Sequence, residues 1–149
     1  MHPTFKDKQY VLTSLISLRL GEIKRGDVIV FQAPIDPNKD FIKRVIALPG
    51  ETISLKNGEY YVNNVVLDES SYLSPDVKTY PGAFLREGQD VLVPKDEYFV
   101  SGDNRSNSSD SREWGFVANN VIIGKSFFVY WPPNEARLVK NPFSNTKRP

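Results

Sequence analysis

Apolar and polar residues alternate in short runs along most of the chain, and the runs are strand-sized. Val28-Ile29-Val30-Phe31 and Phe41-Ile42-Lys43-Arg44-Val45-Ile46 are β-branched or aromatic segments bounded by turn residues, and strand signals begin at Tyr10. Asn57-Gly58 and Asn63-Asn64 each separate two such runs. Both dipeptides tolerate the positive φ of tight hairpin turns, which predicts a meander over about residues 51–67. From about residue 68 to residue 90 the pattern turns polar around Ser74-Pro75-Asp76 and Pro81-Gly82, the signature of a surface excursion and not of a second domain. Strands resume at Val91–Val93, Tyr98–Val100 and Val121–Tyr130, and Trp131-Pro132-Pro133 stops the last one before a polar tail over about 134–149. Without an internal repeat or a long amphipathic helix, the pattern predicts a single mainly β domain over residues 1–149.

Composition narrows the function. The chain has 149 residues, 40% hydrophobic, with 19 basic against 18 acidic side chains, so a core is affordable and no basic footprint for nucleic acid is present. With no cysteine and one histidine, ligands for a zinc site are lacking, and no cofactor is expected. No run reaches the roughly 20 apolar residues that cross a bilayer. Residues 1–149 are therefore expected to be soluble by themselves, with any anchor lying upstream of Met1.

Candidate chemistry gathers in Met1-His2-Pro3-Thr4-Phe5, in residues 25–50, and in Gly102-Asp103-Asn104-Arg105-Ser106-Asn107-Ser108-Ser109-Asp110-Ser111-Arg112. Taken singly, each has an ordinary reading: a solvated lysine, a hydrogen-bonded polar loop, terminal packing residues. Together they could supply a hydroxyl nucleophile activated by a neutral lysine, which needs no histidine. Lysine is a poor base at its reference pKa near ~10.4, and an apolar setting lowers it. Strand alternation puts Phe41, Lys43 and Val45 on one face and Ile42, Arg44 and Ile46 on the other. Lys43 is then the inward candidate, while Arg44 stays charged in any environment and cannot be a base.

These segments resemble, in order, the conserved boxes of the bacterial type I signal peptidases: Met1–Phe5, Arg25–Phe31, Phe41–Gly50, and Gly102–Arg112 followed by Trp114-Gly115. The resemblance implies a largely antiparallel β-sheet domain of the signal peptidase and self-cleaving repressor type. It implies a membrane-bound endopeptidase on the outer face of the bacterial cytoplasmic membrane that removes signal peptides after a small-x-small motif with a serine/lysine dyad. Position by position, Lys43 matches the general base and Ser108 the serine that orients it. Asp110 and Arg112 match a supporting ion pair, and Asp103, Asn104 and Arg105 the turn that holds the loop. Asp40, Phe41 and Ile42 match the strand along which an extended signal peptide lies, and Met1, Phe5 and Val30 the lining of its small-residue pockets. The nucleophilic serine is expected immediately before Met1, so residues 1–149 alone are expected to bind without cutting. The partners implied are preprotein signal peptides and, for the full-length protein, a membrane surface. A catalytically dead peptide-binding relative and a cytosolic self-cleaving repressor-type protease share these residues and remain alternatives.

Overall fold

The computed structural model describes residues 1–14 and 22–144; residues 145–149 of the predicted tail lie outside the described part. A sheet is built from β1 (Tyr10–Ser14), β2 (Val28–Ala33), β3 (Asp36–Ala47), β8 (Glu97–Ser101), β9 (Val117–Ala118), β10 (Ile122–Trp131) and β11 (Arg137–Leu138). Its order is β1-β10-β2-β3-β8-β9, with β11 also pairing β10. A smaller sheet, ordered β6-β5-β4-β7, contains β4 (Thr52–Lys56), β5 (Glu59–Val62), β6 (Val65–Val66) and β7 (Val91–Leu92). Every ladder between these strands is antiparallel, as the resemblance implies. Among the described residues the one α-helix is the single turn α1 (Ser111–Trp114), and no helix is long and apolar enough to cross a membrane.

Local chemistry explains the hairpins. Lys56 pairs with Glu59 across Asn57 (φ 55°) and Gly58 (φ 81°), and Val62 pairs with Val65 across Asn63 (φ 51°) and Asn64 (φ 64°). Positive φ at both central residues gives the turn whose twist matches that of the strands. The sheets share a core in which Ile46, Ala47 and Phe99 of the large sheet pack on Ile53, Leu55, Tyr60 and Val62 of the small one. One face of β2 and β3 buries Ile29, Phe31 and Val45 with Val100, Val117 and Ile122; on the other face Val28 packs with Phe5 and Val129. Residues 68–90 contain no strand, yet Leu73, Thr79 and Leu85 are buried, so this segment lies against the body.

Candidate active site

The register of β3 positions Lys43. It stands opposite Ile29 of β2, and its neighbour Arg44 stands opposite Ser101 at the end of β8. The chain leaving β8 therefore runs through Gly102 directly beside Lys43. Gly102 is held on both sides: its N–H donates to Asp110 Oδ2 (3.0 Å) and its carbonyl accepts from Arg105 Nε (3.0 Å). A Cβ at this position would collide with the Ser108 side chain and would lie 3.7 Å from Lys43 Cδ, so only glycine lets Ser108 close over the lysine. The Ser108 Oγ is buried and has no hydrogen-bond partner among the described residues. On the open side, Lys43 Nζ lies 5.1 Å from the centre of the Phe41 ring.

Burial pushes the Lys43 ammonium below its ordinary value; Asp110 and Asp103 oppose the shift and Arg112 adds to it. Desolvation wins because both carboxylates are already committed to arginines. The α-amine of Met1 is likewise lowered, first by burial and then by the positive charge of Lys43, and Asp103 partly offsets this. The Met1 amine and Lys43 thus feel each other's charge.

Three guanidiniums brace the site. Arg112 grips Asp110 through Nε (2.8 Å to Oδ1) and Nη2 (2.9 Å to Oδ2), and Asp110 also accepts from Ser101 Oγ (3.0 Å) and caps α1 at the Arg112 N–H. Burial favours protonation of Asp110, but the bonds from Arg112 and the Gly102 N–H hold its carboxyl below the usual range. Arg44 grips Asp103 through Nε (2.9 Å) and Nη2 (2.8 Å), donates to the Gly26 carbonyl (2.9 Å), and shares the Thr4 hydroxyl with Asp103. Arg105 is paired with Glu69 (2.5 and 2.8 Å) and donates to Thr79 Oγ1 (2.7 Å). Asn104 precedes the 3₁₀ turn Arg105–Asn107, and its carbonyl accepts from the Asn107 N–H (3.0 Å); its side chain makes no capping bond.

The candidate substrate residues divide between the faces of β3. Met1, Phe5 and Ile42 share the cluster around Val28 and Val129, with Val30 standing opposite Ile42. Phe41 lies on the Lys43 face, its ring 6.3 Å from Phe31 and 6.5 Å from Trp114. Asp40 is exposed and pairs with Gln32. Both faces of β3 are covered at this point. Arg44, on the opposite face, is only 1% exposed and more buried than Lys43, because Thr4, Gly26, Tyr72 and Asp103 cover that face. A cavity of about 280 Å³ opens on this side, lined by Thr4, Arg44, Tyr72 and Arg137 among others and not by Lys43. Ser101, Glu69 and Thr79 escape the sequence reading, and Thr4 enters it only as part of the Met1–Phe5 segment, without a role; a buried arginine in an apolar strand, demanding an acid elsewhere, is the signal that could have led to such partners.

Residues 1–131 match the family model described as signal peptidase, peptidase S26. The chain belongs to this signal peptidase family. Its relatives include a signal peptidase IB from Staphylococcus aureus, 37% identical over 99% of this chain and 81% of the relative. A probable signal peptidase I-2 from Synechocystis is 38% identical over 89% of this chain and 59% of its own length. The crystal structure of a signal peptidase I from Enterococcus faecalis is 31% identical with a TM-score of 0.55, covering 70% of this chain and 96% of that one. Membership makes the chain a protease of largely antiparallel β fold.

Proposed function

We propose that residues 1–149 form one catalytic domain that removes signal peptides from exported preproteins by serine/lysine dyad hydrolysis. The observation that carries this reading is the half-buried Lys43, its charge disfavoured by burial, packed with the unpartnered Ser108 hydroxyl around Gly102. A serine joined to the Met1 amine supplies the nucleophile. The neutral Lys43 Nζ takes the serine proton as the oxygen adds to the scissile carbonyl, then returns it to the departing amine of the mature protein, leaving an acyl-serine. Water, deprotonated by the same lysine, releases the signal peptide. Ser108 donates to or accepts from the amine and fixes its aim; Asp110 and Arg112 hold the loop from below. Backbone N–H groups at the serine stabilise the oxyanion. The peptide lies extended beside Asp40–Ile42, with small side chains seated against Met1, Phe5, Val30 and Ile42.

Membrane docking fits the same reading. Tyr10, Leu12, Tyr130 and Trp131 are exposed side by side on β1 and β10, with Tyr10 stacked on Tyr130 at 5.9 Å. Aromatic side chains of this kind favour the membrane–water interface.

The test is a mass-spectrometric cleavage assay on a signal-peptide substrate with alanine at the first and third positions before the cut. A chain beginning at Met1 should leave it intact, and the same chain carrying serine on the Met1 amine should cut it, faster with lipid. Loss of a nucleophile removes about 10⁶-fold of the rate in serine hydrolases, so the contrast is unambiguous. Cutting without the added serine moves the nucleophile elsewhere. A folded serine-bearing chain that binds but never cuts is a peptide-binding relative.

A further inference from the structure

The segment 68–90, which the sequence presents as a surface excursion, reaches every buried arginine of the site. Tyr72 lies over Arg44, its ring centre 4.2 Å from the guanidinium carbon. The Tyr80 carbonyl accepts from Arg112 Nη1 (3.1 Å). Glu69 and Thr79 both accept from Arg105. Among these contacts the one between Glu69 and Arg105 is an ion pair, and its Arg105 side chain is fully buried against a Glu69 side chain only 13% exposed. The Tyr72 hydroxyl donates to the same carboxylate and so fixes it from the other side.

From this chain of contacts we infer that Glu69 is a positioning residue of the active site, acting through Arg105 and Gly102 on the wall that Ser108 forms over Lys43. Arg105 donates through one edge to Glu69 and through Nε to the Gly102 carbonyl. Its planar fork cannot serve both unless both hold still. Gly102 in turn has the Ser108 side chain where a Cβ would be, and Lys43 Cδ on the same side. Without the carboxylate, the buried guanidinium keeps Thr79 and the Tyr60 ring but no counter-charge, and it relaxes toward water. The Gly102 carbonyl is then released and the wall over Lys43 loosens. This inference rests on the proposed role of Lys43 as base, yet the position of the wall can be read without catalysis.

The experiment has two arms. In the first, lysine labelled with ¹³C at Cε reports the titration of Lys43 by NMR, the signal being assigned from Lys43→Met. The charged groups around Lys43, namely the Met1 amine, Asp103, Asp110 and Arg112, are all retained. Removing an anion alone would move the Lys43 midpoint down, whereas admitting water moves it up. Glu69→Ala is expected to raise the midpoint, with Glu69→Gln between it and the parent, and Asp90→Ala, which removes an exposed pair with Lys56, to leave it unchanged. If Glu69→Ala does not fold, Glu69→Gln and Arg105→Lys decide by the same measurement. A midpoint unchanged or lowered in the folded variants overturns the inference.

In the second arm, on the serine-bearing chain, Glu69→Ala should lower kcat by about tenfold to a hundredfold with KM within about threefold. Added to Ser108→Ala it should cost little more, because both changes act on one wall. Full additivity of the two losses counts against it. If the parent serine-bearing chain is inert, the proposed hydrolysis fails while the titration still judges Glu69.

Discussion

Replacing Asp103 by alanine tests whether the floor of the site is held by charge. Asp103 and Arg44 have side-chain exposures of 0% and 1%, and the carboxylate accepts both Arg44 donors and the Thr4 hydroxyl. The truncation leaves a guanidinium in the interior with the Gly26 carbonyl and the Thr4 oxygen as its remaining acceptors. Breaking a buried pair on one side costs about 3–5 kcal/mol, far above the ~0–1 kcal/mol of a pair at the surface. For a domain of this size each kcal/mol is worth about 2–4 °C, so Tm should fall by roughly 6–20 °C. Urea unfolding at neutral pH measures the loss directly, with an unchanged slope showing that the same surface is exposed. The paired change Arg44→Met with Asp103→Leu should recover most of the loss, because nothing charged is then left unpaired. A cooperative transition weakened by less than about 1 kcal/mol in Asp103→Ala would refute the reasoning, since Arg44 would then have found another way to be satisfied.

Lys43→Met should raise stability at neutral pH. Because burial lowers the lysine pKa in the folded state, the unfolded chain binds the extra proton, so the parent gains stability as pH rises from the folded value toward the ordinary 10.5. The advantage of the methionine variant should fade over that window; an advantage independent of pH would mean that the lysine is not desolvated. Ser108→Ala should lower turnover by roughly tenfold to a thousandfold in the serine-bearing chain. Since its buried hydroxyl has no partner among the described residues, stability should stay level or rise by up to about 1 kcal/mol in thermal unfolding. A destabilised variant would make Ser108 a structural residue.

The sequence by itself determined what depends on neighbours along the chain. Alternation made the strands, and Asn57-Gly58 and Asn63-Asn64 made the hairpins, because side-chain direction and turn dihedrals are local properties. The ordered boxes were enough to point to the family, since the residue types of a site are written in the chain. The burial of Lys43 could be anticipated from its apolar run. That of Arg44 could not, because it depends on Thr4, Gly26, Tyr72 and Asp103 arriving from distant parts of the chain. Residues 68–90 show the same limit: polar composition made them look like solvated surface, yet Glu69 and Thr79 face inward. A polar residue satisfied by water and one satisfied by a buried guanidinium have the same sequence signature. Only the tertiary structure, which decides where water is excluded, tells them apart.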